Sequence, residues 1–219
     1  MTRPEVLQRI ADRLLGTDLG RPVRVGVDGI CGAGKTTFGH DLAAVLRASG
    51  RPVVDLDSDG FHRTRAIRYR QGRASARGYY DDAYDLDALQ ELVLRPLGPG
   101  GSRRYAEHVH DLATDLVEPR FATAPPDAIV LFAATFLQRG ALRDDWDEVL
   151  WLDVPEPVAT ARGVARDAAA LGGPDAAEAA YASRYTAACR IYLAEEAPRD
   201  RASIVVDHAD PERPAIMRW

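Results

Sequence analysis

Lysine is nearly missing from this chain. Of 28 basic residues among 219, one is lysine, Lys35, and the other 27 are arginine. A coding bias toward arginine and alanine explains the trend and makes the position of the one lysine informative. Cysteine is scarce as well. Cys31 and Cys189 stand far apart in sequence, which excludes a disulfide framework and the close spacing of a metal site. No apolar run is long enough to span a bilayer. The first residues carry Arg3, Glu5, Arg9, Asp12 and Arg13 and lack the apolar centre of a secretory leader. A reduced, cytoplasmic setting is therefore expected. Excess positive charge is absent too. A net charge of −5 and a pI of about 5.6 exclude broad binding along a nucleic-acid backbone.

What is present suffices for a folded core. Hydrophobic residues make up 46% and charged residues 28%, which excludes disorder and suits one α/β domain spanning residues 1–219. Val6, Leu7, Ile10, Leu14 and Leu15 recur at helical spacing, and Pro4 suits a first turn, so a helix is expected over about 4–15. Apolar strands are expected at 21–27, 51–57, 127–132, 149–154 and 203–206, with helices near 35–49, 86–94, 156–170 and 176–196. Residues 62–82 show no clean period and read as a long loop with at most a short helix. Strands alternating with helices imply a parallel sheet.

The single lysine falls in Gly29-Ile30-Cys31-Gly32-Ala33-Gly34-Lys35-Thr36, which matches G-x-x-x-x-G-K-[ST] between an apolar strand and an amphipathic helix. Glycines let backbone N–H groups close round a β-phosphate, and the helix N-terminus adds positive potential. Lys35 supplies a point charge for the β- and γ-phosphates, and Thr36 supplies a hydroxyl for Mg²⁺. Gly29, Cys31, Gly32, Ala33, Gly34, Lys35, Thr36 and Thr37 thus form the candidate nucleotide cradle. With no other lysine, the N-K-x-D base-reading motif of a GTPase is absent. A small kinase fits the length. Such an enzyme needs a carboxylate at the end of the second strand, and Asp55, Asp57 and Asp59 stand there.

These residues make the chain similar to the uridine kinase family and its pantothenate kinase and phosphoribulokinase relatives. The resemblance runs from about residue 21 to 210. It rests on the phosphate loop, on D-G-F-H (Asp59 to His62), on the G-Y-Y-D-D-A-Y-D run from Gly78, on P-L-G-P-G-G-x-R-R-Y from Pro96, and on V-V-D-H-A-D from Val205. It implies a three-layer P-loop NTPase fold with a five-stranded parallel sheet and a helical lid over about 162–190. It also implies ATP and Mg²⁺ as cofactors and a small-molecule acceptor, most simply a nucleoside 5′-OH. Carried over by position, Asp59 is the catalytic base. Phe61, His62, Tyr105 and His110 shape the acceptor site, and Asp57 joins Thr36 at the metal. Arg162 and Arg166 neutralise the transferring phosphoryl group, with Arg184 and Arg190 as further lid arginines.

Structural roles compete with these. Asp59 is also a candidate helix N-cap, the histidines candidate surface groups, and Arg162 and Arg166 one face of a solvated helix. Tyr79, Tyr80 and Tyr84 suit packing as well as base stacking. The chain also departs from the family at two places. Ala133 and Ala134 replace an acid and a glycine after the strand ending at Phe132, and Asp111-Leu112-Ala113-Thr114-Asp115 lacks a His and an Arg. Two expectations follow. Either Asp57 or Asp59 serves the metal in an active kinase, whose acceptor is a nucleoside or another small alcohol, or the chain binds nucleotide without transferring phosphate.

Overall fold

The computed structural model describes all residues from Met1 to Trp219. The chain opens with helix α1 (Arg3–Leu15), started by a reciprocal cap between Thr2 and Glu5; it buries Val6, Leu7, Ile10 and Leu14, the stripe its spacing predicts. Strand β1 (Val23–Asp28) is buried at every position. Next come α2 (Lys35–Ala48), β2 (Val53–Asp57) and a 3₁₀ turn at Ser58–Phe61. The stretch expected as loop holds two short helices, α3 (Arg65–Arg68) and α4 (Ala76–Asp82).

Helices α5 (Leu86–Leu89) and α6 (Arg95–Leu97) are one continuous rod joined by a wider π turn at Gln90–Leu94. The expected stop near Leu94 does not occur. Pro96 would clash with the carbonyl four residues earlier in a regular helix, and the π turn at that carbonyl accommodates it. Strands β3 (Arg104–His108) and β4 (Arg120–Thr123) pair as a separate antiparallel ribbon. After them come β5 (Ile129–Ala133), β6 (Glu148–Asp153) and α7 (Glu156–Leu171). A Gly172-Gly173 turn leads into α8 (Pro174–Ala180), which runs through a π turn at Tyr181–Tyr185 into α9 (Thr186–Glu196). The chain ends with α10 (Pro198–Arg201), β7 (Ile204–Asp207) and β8 (Ala215–Arg218).

The main sheet has the order β2-β5-β1-β6-β7-β8. Five strands run parallel, as expected; the sixth, β8, is an antiparallel edge on β7. It escaped the sequence reading because it is short and only partly buried. The central strands β1 and β5 are covered on both faces, which explains their unbroken apolar runs. No helix is long and apolar enough to cross a membrane.

This topology places the site. The loop leaving β1 feeds α2, which crosses over β5 to reach β2. A crevice therefore opens at the carboxyl ends of β1, β5 and β2, where ligands bind in sheets of this kind.

Candidate active site

The loop from Gly29 to Gly34 wraps the start of α2. Gly34, with φ of 89°, is the N-cap, and no side chain caps the helix. No acid stands in its first turn either, so its free N–H groups face the crevice without a competing anion. Gly32 also has positive φ, and a Cβ there would lie 2.0 Å from the Ala159 carbonyl of α7. Both the dihedral and the contact require glycine. Lys35 Nζ donates to the Ile30 carbonyl at 2.9 Å, held in the loop's concavity, and burial lowers its pKa.

Beneath the loop, Asp28 is fully buried. It accepts from the Gly29 amide (2.8 Å), Gln138 (3.2 Å) and the Tyr192 hydroxyl (2.5 Å), and burial raises its pKa to about 6. Sequence reasoning passed over it, although a carboxylate ending an apolar strand just before the motif was a visible signal.

A cavity of about 590 Å³ opens over this loop. It gathers Cys31, Gly32, Lys35, Thr36 and Thr37 with Asp59 and His62 from the end of β2, and with Arg166 from α7. Four cations line it (Lys35, Arg68, Arg166 and Arg184) against two carboxylates, Asp59 and Asp167, which favours a polyanion. Arg68 was not foreseen. It is buried, its Nη2 lies 3.5 Å from Asp115, and its Nε has no partner. Arg184 is buried between Tyr69 and Tyr79, its Cζ 5.0 Å from each ring, and donates to the Arg73 carbonyl at 2.7 Å. Tyr79 and Tyr84 share a hydroxyl–hydroxyl bond of 2.9 Å on the cavity wall.

His62 has a defined protonation state. Its Nδ1 lies 2.9 Å from the Ser58 carbonyl, which only accepts, so Nδ1 carries the proton and Nε2 is bare. Burial, and then the charge of Arg68, lower its pKa to about 4. At neutral pH the ring is an uncharged acceptor, tilted against the Tyr84 ring with centroids 4.6 Å apart.

The remaining candidates lie elsewhere. Asp57 Oδ1 accepts from the Asp59 amide at 2.9 Å, so Asp57, and not Asp59, is the cap of the 3₁₀ turn. It lines a neighbouring cavity of about 390 Å³, which shares Asp59 and Leu112 with the first and also contains His110. His110 is buried, with Nε2 3.1 Å from Asp115 and Nδ1 unpartnered. Phe61 is a core residue, edge-on to Phe132 at 5.3 Å, and Tyr105 is buried on β3 outside both cavities.

Arg162 turns away from the cavity. It donates to the carbonyls of His208 (3.1 Å) and Ala209 (2.5 Å). His208 in turn covers the loop's other side: its Nδ1 donates to the Ala33 carbonyl, and its Nε2 accepts from Arg3, both bonds fixing a neutral ring. Arg190 is paired with Glu156 at the surface. Arg166 lines the cavity with its guanidinium largely exposed and paired with Asp167, which also accepts from Tyr181 at 2.8 Å.

No cluster of three or more His, Cys, Asp or Glu is disposed to hold a metal by protein groups alone. Thr36 and Asp59 share the cavity. A hydroxyl and a carboxylate fit Mg²⁺, which prefers few protein ligands and fills its shell with water and substrate phosphate.

A parallel sheet in this order, a glycine loop carrying the lone lysine into a helix, and a cationic cavity with a carboxylate facing that loop define the P-loop kinase fold. The sequence has homologues among uridine kinases. It is 26% identical to the uridine kinase of Latilactobacillus sakei over 153 residues, 69% of each chain, and 25% identical to that of Brevibacillus brevis over 158 residues, 68% of each. Among solved structures, a possible uridine kinase from Bacillus stearothermophilus superposes with a TM-score of 0.71 at 24% identity, covering 92% of this chain and 97% of that one. The phosphoribulokinase from Rhodobacter spheroides gives 0.60 at 18% identity, covering 86% and 70%. No family model matches the chain.

Proposed function

We propose that this protein transfers the γ-phosphoryl group of ATP to a hydroxyl of a small molecule, with a nucleoside 5′-OH as the acceptor its sequence relatives favour. The observation that carries the reading is the single cavity holding Lys35, Thr36 and Asp59 together with three arginines. The amides of the Gly29–Gly34 loop and the N-terminus of α2 bind the phosphates. Lys35 exchanges the Ile30 carbonyl for phosphate oxygens. Asp59 accepts the proton of the attacking hydroxyl, and the bare Nε2 of His62 accepts a hydrogen bond from the acceptor's hydroxyl groups. Arg166 and Arg184 offset charge on the phosphoryl group in flight. Thr36 and Asp59 would hold Mg²⁺, which would supply charge neutralisation to the phosphates.

The test is incubation with Mg-ATP and a panel of nucleosides and other small alcohols, following ADP release and the mass of any product. A monophosphate of uridine or cytidine supports the nucleoside assignment. A phosphorylated product from another alcohol keeps the kinase and changes the acceptor. A second reading, nucleotide binding without transfer, is favoured by Ala133, which leaves β5 without a carboxylate. Measurable ATP affinity with no product from any acceptor would establish it.

A further inference from the structure

The fold brings the chain's two cysteines together across 158 residues of sequence. The Cys31 amide donates to Cys189 Sγ at 3.2 Å, and both cysteines are reduced. Cys31 is half-buried and lines the cavity, so a small solute reaches it; Cys189 is buried on α9 behind it. Polar groups crowd the Cys31 sulfur, with the Tyr79 hydroxyl at 3.9 Å and Thr135 Oγ1 at 4.0 Å. We propose that Cys31 and Cys189 are an oxidisable dithiol, which a hydroperoxide converts to a disulfide that ties α9 to the phosphate loop.

The chemistry has a defined order. The neighbouring Cys189 thiol and the Lys35 charge favour the Cys31 thiolate, while Cys31 and burial raise the Cys189 pKa. The Cys31 thiolate attacks one peroxide oxygen; the S–O bond forms, the O–O bond breaks, and the departing hydroxide takes a proton to leave as water. Cys189 sulfur then attacks the sulfenic sulfur. The S–S bond forms, the S–O bond breaks, and the thiol proton leaves with the second water. Two thiols are oxidised by two electrons and one hydroperoxide is reduced.

The consequence follows from what α9 carries. Tyr192, one turn beyond Cys189, already holds Asp28 at the base of the loop. Arg184 and Tyr185 lie on the same continuous helix and line the cavity. A covalent second tie fixes this helix against the loop, so the cavity cannot adjust to admit nucleotide. This last step rests on the loop being the nucleotide site.

The experiment treats the full chain with hydrogen peroxide and reads intact mass, free thiols and affinity for a fluorescent ATP analogue. A monomer lighter by two hydrogens, with both thiols lost and affinity reduced at least tenfold, all reversed by dithiothreitol, is expected. C189S, which keeps an acceptor for the Cys31 amide, should instead gain one oxygen and never lose two hydrogens. Wild-type protein that only gains oxygen, or that couples between chains, overturns the disulfide. A disulfide that leaves affinity within twofold overturns its control of the site. If the reduced protein binds no nucleotide, the reading of the loop fails, and the mass change alone still decides the disulfide.

Discussion

Asp57 and Ala133 stand side by side at the carboxyl ends of β2 and β5, paired in the parallel register. Ala133 is also paired with Val27 of β1, so it lies at the floor of the crevice beside the phosphate loop. At this position β5 carries a methyl group, and the nearest carboxylate in that row belongs to Asp57. That carboxylate is already occupied on one oxygen by the Asp59 amide.

Asp57 therefore has two separable roles, and two substitutions tell them apart. Asn caps a turn about as well as Asp, whereas Ala forgoes the cap at about 1 kcal/mol. If Asp57 only orients Asp59, Asp57→Asn should retain most activity and Asp57→Ala should lower both kcat and melting temperature. If Asp57 serves the metal, Asp57→Asn should raise the Mg²⁺ concentration needed for half-maximal rate. Titration of activity against Mg²⁺ in the two variants decides.

Lys35→Ala should lower phosphoryl transfer by about 100-fold or more, the scale for removing one donor that stabilises transition-state charge. It should not unfold the protein, because the lost bond to the Ile30 carbonyl is offset by relief of a partly buried charge. A full rate with an unchanged melting temperature would remove Lys35 from the scheme. Asp59→Asn should abolish transfer while nucleotide affinity stays within a few-fold, read by calorimetry; surviving transfer would assign the base elsewhere.

Stability should carry the signature of His62. Its folded pKa of about 4 lies below its ordinary 6.5, so between those values the unfolded chain binds more protons than the native one. The contribution of His62 to the unfolding free energy therefore rises with pH across that window and falls as acid is added. The ion-paired Asp147, held near 2 despite its burial by Arg21 and Arg24, loses its contribution only at lower pH. Asp28, raised to about 6, takes up a native-state proton over the same window and opposes the His62 trend, so the variant comparison isolates His62: between pH 7 and pH 5 the melting temperature should fall further for the wild type than for His62→Gln. Equal drops would place the low-pH instability in another group.

The phosphate loop, the five parallel strands and the carboxylate after β2 were legible in the sequence because each depends on local pattern: glycine spacing, unbroken apolar runs, an acid at a strand end. Five of the eight loop positions proposed as the cradle, Cys31, Gly32, Lys35, Thr36 and Thr37, line the cavity. The arginines were not legible. Arg162 and Arg166 differ by one turn, yet one bonds the carbonyls after β7 while the other faces the cavity, and only the packing of α7 against the loop decides which. Arg68 lay in a stretch without period, and its burial depends on Tyr69, Asp115 and the fold of α3. The cysteine pair was equally hidden, since contact across 158 residues leaves no local trace.

Arg68 yields the sharpest prediction about the acceptor. Its Nε–H is buried without a partner, although the residue lines the cavity with His62 and Tyr84. A buried donor left unsatisfied is costly, and a charged hydrogen bond made on substrate binding contributes about 1.5–3 kcal/mol. Arg68→Met keeps the aliphatic stem and removes the donors, so acceptor KM should rise roughly 10-fold to 100-fold by that energy. The KM for ATP should stay within twofold, because the phosphate loop is untouched. Asp115 keeps the Arg65 amide and His110 as partners, so the fold should hold. Steady-state kinetics with each substrate varied in turn gives both constants. A rise in the ATP constant instead would move Arg68 from the acceptor to the phosphates, and no change in either would make it a structural partner of Asp115 alone.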